Sequence, residues 1–343
     1  MKRHLNTIFV TTQGAYLGRQ GQAVVVRVDG REGLRVPIHM LGSIVCFGRV
    51  GCSPYLLGLC GEQGVAVSFL TENGRFLARA HGFTSGNVLL RREQYRRADS
   101  PDGSARIARA MVAAKIANSR TVLLRAARDH PSAAGGPAVQ MAVAQLDRCL
   151  SVCASDVTVD ALRGTEGEAA RAYFSVFDHL VVAQKDDFAF RDRSRRPPLD
   201  RVNALLSFLY AMLAADVRAA CEAAGLDPAV GYLHEDRPGR AGLALDLMEE
   251  FRAFLADRLA LSLINRRQVQ GSGFRTGASG GVEMDDETRR TVLAAWQRRK
   301  QEEIRHPFLG EVTTVGLLPH LQARLLARHL RGDVDGYPPF IWK

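Results

Sequence analysis

Apolar and polar residues alternate with a period near two over the first eighty positions. Residues 7–11, 23–28, 34–38 and 43–47 are short runs rich in β-branched side chains. Successive side chains of a strand point to opposite faces, so this alternation predicts half-buried strands. Asp29-Gly30 lies between two of the runs and signals a tight turn. Asn73-Gly74 separates residues 65–70 from 76–80, which predicts a second hairpin. Residues 53–60 interrupt the alternation and predict a short helix, with Ser53 as cap and Pro54 at its first position.

From about residue 88 the period changes to 3.6. Residues 105–128 are alanine-rich and free of Gly and Pro, predicting a long helix. Further helices are predicted over 159–182, 201–224, 287–305 and 314–329. In the stretch 201–224, Leu205, Phe208, Leu209, Met212 and Leu213 fall on one stripe, and Asp200 can cap it after Pro197-Pro198. The expected architecture is α+β in two domains. A small β-rich domain over 1–87 is followed by a linker over 88–104 and an all-α catalytic domain over 105–343. There is no internal repeat.

Composition narrows the class without changing this picture. With 46% hydrophobic and 24% charged residues, the chain has the make-up of an ordinary globular protein. No uncharged apolar run reaches the ~18 residues of a membrane-spanning helix. Met1-Lys2-Arg3-His4 leads straight into a strand-like run without the apolar core of a signal peptide, so a cytoplasmic location is expected. Cys46, Cys52, Cys60, Cys149, Cys153 and Cys221 form no CxxC pair and are expected to be reduced and partly buried. The net charge of +10 suits nucleic acid, an anionic surface or an acidic partner. Residues 1–100 hold thirteen Lys/Arg and six Asp/Glu, a net of +7 that leaves +3 for the remainder.

Two segments carry residues that core packing does not require. One is Leu162-Arg163-Gly164-Thr165-Glu166-Gly167-Glu168-Ala169-Ala170, where small neighbours leave room beside Glu166. The other joins Gly231-Tyr232-Leu233-His234 to a helix on which Asp246, Glu249 and Glu250 share a face. One histidine with two or three carboxylates suits Mg²⁺ or Mn²⁺, and the lack of thiolates speaks against structural zinc. From spacing alone the alternatives stay open: a lone histidine is commonly a satisfied core residue, and an acidic helix face is commonly solvated.

These segments resemble a family. Leu162 through Gly167 is similar to the LRGxEG signature of the CRISPR-associated integrase family Cas-one. Gly231 through His234, followed by Asp246-Leu247-Met248-Glu249, is similar to its second signature. Asn203-Ala204-Leu205-Leu206-Ser207-Phe208-Leu209-Tyr210, Thr11 through Leu17, Asn87 through Arg91 and Lys115-Ile116-Ala117-Asn118-Ser119-Arg120 also match, in order along nearly the whole chain. Trp296-Gln297-Arg298-Arg299-Lys300 looks most like the type I-C branch.

The resemblance implies a β-rich domain that builds a homodimer and a helical catalytic domain in a prokaryotic protein. It implies that Glu166, His234 and Glu249 bind one divalent metal, Mg²⁺ or Mn²⁺, where some members carry Asp in place of Glu249. Asp246 is implied as an outer ligand or a base for the attacking hydroxyl, with Glu168 and Glu250 ranked below. The implied reaction joins prespacer 3′-OH ends to the phosphodiesters of a CRISPR repeat in double-stranded DNA. A Cas-two partner is implied, and a Cas-four nuclease is a further candidate. For DNA the candidate contacts are Arg163, Tyr173 and the run Arg191, Arg193, Arg195 and Arg196, positions suited to phosphate rather than to base readout. Two other functions use the same residues: an endonuclease cutting branched or single-stranded DNA with water as nucleophile, and a DNA-binding scaffold without catalysis.

Overall fold

The computed structural model describes residues 6–72, 76–80, 82, 88–277 and 280–342. The chain divides into two compact units. One comprises residues 1–85, 284–303 and 314–317; the other comprises 86–283, 304–313 and 318–343.

The first unit is built of strands, as the alternation predicts. β1 (Asn6–Val10), β5 (Leu41–Phe47), β7 (Ala66–Leu70) and β8 (Phe76–Ala80) form one sheet in the order β1-β5-β7-β8, with only the β7–β8 pair antiparallel. β2 (Tyr16–Gln20), β3 (Ala23–Val28), β4 (Arg31–Pro37) and β6 (Gly51–Cys52) form the second, in the order β4-β3-β2-β6. Leu17, Val24, Ile38, Ile44, Leu56 and Val67 meet in their shared core. Asp29 and Gly30 both adopt positive φ, 50° and 76°, as a two-residue turn between antiparallel β3 and β4 requires. The Asn73-Gly74 turn lies outside the described residues, although the hairpin it was expected to close, β7 with β8, is present. α1 (Pro54–Glu62) starts where the cap signal places it, with the Ser53 side chain accepting from Leu56 N at 3.2 Å.

β2 is the strand that alternation does not announce. Tyr16-Leu17-Gly18-Arg19-Gln20 has no β-branched residue, and its partners on both sides hold it in the sheet. A Cβ on Gly51 of β6 would stand 2.6 Å from the Tyr16 ring, so a larger residue there would displace that ring.

Helices dominate the second unit: α2 (Val88–Asp99), α3 (Pro101–Asp129), α4 (Pro131–Ala134), α5 (Pro137–Cys153), α6 (Val159–Ser175), α7 (Arg201–Ala223), α8 (Gly242–Phe251), α9 (Arg258–Asn265) and α11 (Leu318–Arg331). α10 (Asp286–Gln301) belongs to the strand-rich unit and packs on β1. The fold is α+β.

Several boundaries differ from expectation: the helix predicted over 159–182 ends at Ser175, the one over 287–305 ends at Gln301 before a short strand at Glu303–Arg305, and the one over 314–329 starts at Leu318. The linker predicted over 88–104 is α2 and the first turn of α3, separated at Ser100, whose hydroxyl accepts from Gly103 N at 3.2 Å. α2 has no apolar stripe to reveal it. It is fixed instead by Gln94, fully buried, which donates to the carbonyls of Asp227 (2.8 Å) and Val230 (2.9 Å) and accepts from Asp227 N (2.9 Å). The block predicted to be all-α to residue 343 gives up α10 to the other unit, and it is interrupted by two short strand pairs, Phe274–Thr276 with Val282–Met284 and Glu303–Arg305 with Val312–Thr314.

α7 is apolar enough over 18 residues to satisfy the composition of a membrane span, but most of that window is buried, among α8, α9 and α11. The cysteines are all free thiols, and only Cys52 is partly exposed.

Candidate active site

Three helices of the larger unit bring the candidate residues together. α6 is capped by Thr158, whose hydroxyl accepts from Ala161 N, and buries Leu162, Thr165, Ala169 and Tyr173 along one stripe. Glu166 stands at the edge of that stripe with a side chain 26% exposed. α8 carries Glu249, 4% exposed, and α3 carries Lys115, 13% exposed. The Lys115 ammonium contacts Glu166 and lies 2.7 Å from Glu249 Oε2. Arg252, three residues beyond Glu249, places Nε 3.0 Å from the same oxygen. Burial alone would raise the Glu249 carboxyl, but the Arg252 and Lys115 cations outweigh it and hold the group well below the ordinary carboxylate range. Glu249 Oε2 thus sits between two cations, within ion-pair range of both.

The second half of the site is a clamp. Asp246 is fully buried, and its two oxygens accept four bonds. Oδ2 accepts from the backbone N–H of Tyr232 (2.6 Å) and Leu233 (3.0 Å); Oδ1 accepts from His234 N (3.0 Å) and meets His234 Nδ1 at 2.6 Å. An ionised carboxylate offers about four lone-pair positions, so all are used. Against an acceptor-only carboxylate, Nδ1 of neutral His234 carries the proton and Nε2 presents a lone pair. Asp246 thus has neither solvent access nor a spare lone pair with which to act as a base on a hydroxyl, contrary to that part of its expected role.

Two glycines allow the loop to approach α8 this closely. A Cβ on Gly231 would meet Gly242 C at 2.7 Å and Asp246 Oδ2 at 2.8 Å; one on Gly242 would meet the Ala229 carbonyl at 2.7 Å. Gly231→Ala should therefore push the loop off Asp246 and destabilise the protein by about 1–3 kcal/mol. Urea unfolding of the variant beside the parent checks this, and equal midpoints would show that the loop yields freely.

The acidic face predicted for α8 is not one face, and it is not solvated. α8 packs between α3, α7 and α11, so each acid finds its own partners. Glu250, fully buried, accepts from Tyr337 Oη (2.5 Å), Phe340 N (2.8 Å) and Gln322 Nε2 (3.0 Å). Glu168 takes its contact from Gln145 on α5, away from Lys115.

Of the DNA candidates, Arg163 braces the His234 loop: Nε donates to the Leu233 carbonyl (2.7 Å), and Nη1 reaches Asp160 (2.6 Å) and Glu235 (3.1 Å). Tyr173 is 3% exposed and packs edge-on against Phe177, so its ring is core rather than surface. The arginine run divides. Arg193 turns inward, donating to Asn203 Oδ1 (2.6 Å) and stacking over Tyr210, whereas Arg191, Arg195 and Arg196 are exposed.

Arg193 and Arg195 border a cavity of about 520 Å³ that Lys115, Ser119, Arg252 and Asp257 also line. Arg252 and Asp257 reach it from a π-helical turn, Arg252–Asp257, that joins α8 to α9. Such turns often accompany functional sites because they break the regular spacing of side chains. Tyr210 Oη donates to Asp257 Oδ1 at 2.7 Å; burial pushes the Asp257 carboxyl up to about 6, opposed by that bond and by nearby arginines. Periodicity singles out neither Lys115 nor Arg252. Lys115 stood out only as the first residue of the Lys115–Arg120 segment that matches the family.

The structure thus gathers Glu166 and Glu249 around one ammonium, with His234 in electrostatic reach of Glu249. Among the described residues no three His, Cys, Asp or Glu side chains stand grouped as a preformed metal cage.

Comparison with known proteins agrees with this architecture. The model of the family "CRISPR associated protein Cas1" matches residues 8–298. A CRISPR-associated endonuclease Cas1 of Chlorobaculum tepidum is 55% identical over the whole of both chains, and one of Rhodospirillum rubrum is 54% identical, again over the whole of both. A Cas4 exonuclease/Cas1 endonuclease fusion of Geobacter sulfurreducens is 35% identical over 97% of this chain and 60% of its own. Among solved structures, TM1797, a Cas1 protein of Thermotoga maritima, superposes with a TM-score of 0.82 at 22% identity, over 98% of this chain and all of the other. A casposase bound to its integration product gives 0.83 at 22%, over 99% and 95%. On the full-length identity to curated endonucleases and the family match, this chain belongs to the CRISPR-associated Cas1 family of nuclease and integrase enzymes.

Proposed function

We propose that the protein joins prespacer 3′-OH ends to repeat phosphodiesters in a divalent-metal-dependent reaction, with Glu166, His234 and Glu249 as metal ligands. The supporting observation is the convergence of α3, α6 and α8, which sets two carboxylates around one cationic position beside a histidine whose tautomer is fixed for coordination through Nε2. The donor set fits: two carboxylates and one imidazole suit Mg²⁺ or Mn²⁺, and the Glu166 and Glu249 carboxylates already converge on a cation, the Lys115 ammonium. When bound, such an ion polarises the phosphoryl oxygens and favours the deprotonated hydroxyl.

The remaining work falls to the chain's own groups. Asp246 holds His234 in position and tautomer. Arg193, Arg195 and Arg252 line the neighbouring cavity and would neutralise phosphate charge as the reacting groups are brought into line. Arg191 and Arg196, exposed on the same run, extend that positive track along the DNA backbone. The Cas4/Cas1 fusions among the relatives and a Cas6-RT-Cas1–Cas2 complex among the fold neighbours support Cas2-like and Cas4-like partners. We assign homodimer formation to the strand-rich unit on the family resemblance, which is also the basis for a type I-C placement.

A hydrolytic reading uses the same site with water as nucleophile, and the relatives' name, endonuclease, favours keeping it. One experiment separates the two. The protein is incubated with its small partner, Mn²⁺, a duplex with free 3′-OH ends and a plasmid carrying leader and repeat. Junction sequencing should show joined ends that fall by about a hundredfold or more in Glu166→Ala. Shortened DNA without junctions would establish hydrolysis instead, and activity retained in Glu166→Ala would remove that residue from the site.

A further inference from the structure

Lys115 occupies a peculiar place. Its ammonium touches both Glu166 and Glu249, two of the three proposed ligands, from a side chain 13% exposed. A divalent ion would need the same carboxylate oxygens. A cation already standing between Glu166 and Glu249 takes up the space and part of the negative charge that the ion would use, and so weakens the site for it. The residue type is telling in a chain that otherwise relies on arginine. A planar guanidinium pairs with carboxylates in a fixed fork, whereas an ammonium is a compact charge on a flexible stem that can enter and leave. It also has somewhere to go: Lys115 borders the cavity lined by Ser119, Arg193, Arg195 and Arg252.

The geometry points to Lys115 as a resident cation that competes with the divalent ion for Glu166 and Glu249 and is released into the cavity when the ion binds. This rests on the metal reading above. Without the ion, Lys115 and Arg252 neutralise the buried Glu249, so the empty centre stays closed instead of unfolding around uncompensated charge. With the ion, the displaced ammonium joins the arginines that face phosphate. Metal uptake and arming of the phosphate cavity thereby become one event. The cost is apparent affinity, which falls in proportion to the fraction of molecules in which Lys115 holds the carboxylates.

The test titrates full-length protein with Mn²⁺ by calorimetry. Lys115→Met should bind about tenfold more tightly than the parent, while Lys115→Arg, whose guanidinium holds the carboxylates more firmly, should bind no more tightly than the parent. An independent measurement needs no variant. Lysine acylation followed by peptide mass spectrometry should label Lys115 slowly in the metal-free parent and several times faster with Mn²⁺, with exposed Lys185 as the internal reference. If Lys115→Met does not fold, this labelling decides. Equal or weaker Mn²⁺ affinity in Lys115→Met, or labelling that Mn²⁺ leaves unchanged, overturns the competition while leaving the metal reading intact. No Mn²⁺ uptake by parent or variant overturns both.

Discussion

Asp246→Asn should cripple the site although Asp246 is not among the proposed ligands. The carboxylate accepts four bonds, three of them from backbone N–H groups of the His234 loop. An amide offers one oxygen, and its NH₂ must face donors. At least one backbone N–H loses its partner in a fully buried place, at about 1–3 kcal/mol for each group. The larger effect is on the imidazole. With an NH₂ opposite Nδ1, the favoured tautomer places the proton on Nε2 and removes the lone pair that would coordinate. Loss of such a supporting carboxylate typically weakens metal binding by about 10–100-fold. Mn²⁺ titration and urea unfolding should both register the change. A variant that binds Mn²⁺ like the parent would show that Asp246 does not set the tautomer.

The second large effect concerns Glu250, one residue from a proposed ligand yet turned to the opposite side of α8. Burial pushes its carboxyl from an ordinary value near 4.5 up to about 8, against the bonds from Tyr337, Phe340 N and Gln322. The sign follows from the raised value. Below about pH 4.5 the group is protonated in both states and its contribution is complete. As pH rises, the unfolded chain releases its proton while the folded protein keeps it, so stability declines until about pH 8 and then levels. The full span is on the order of 5 kcal/mol. Glu250→Gln keeps an oxygen for Phe340 N and Gln322 and offers an NH₂ to Tyr337, without an ionisable group. Urea midpoints compared near pH 5 and pH 8 should show the parent losing stability relative to the variant as pH rises. Parallel profiles would mean that Glu250 ionises inside the fold at an ordinary pH.

The contrast between these two acids shows where the sequence is legible. Spacing put Asp246, Glu249 and Glu250 on one helix and could say no more, because their partners lie far away in sequence. Glu250 is fixed by Tyr337 and Phe340, Asp246 by the loop at 232–234, and Glu249 by Lys115 on another helix. Strands β3, β5 and β8 and helices α3 and α7 were readable because their order is local: alternation, caps at Ser53 and Asp200, and a stripe from Leu205 to Leu213. β2 and α2 were not, since one is held by its neighbours in the sheet and the other by Gln94 reaching a distant loop. Arg163 illustrates the same limit. Its place in a signature suggested DNA, while its geometry shows a brace for the loop that carries His234.

One consequence follows from α10 belonging to the strand-rich unit. The eight strands are made early, but residues 284–303, which complete that unit, follow about two hundred residues of helical sequence. Closing so long a loop is slow in proportion to its contact order, although its entropic penalty grows only logarithmically. During translation the strands therefore emerge first and are finished late. A fragment cut at residue 85 would leave the strands without α10, the helix that packs on β1. Because each unit is assembled from segments that are apart in the sequence, the two are tied in one order of manufacture, and neither can be exchanged between relatives by a single crossover.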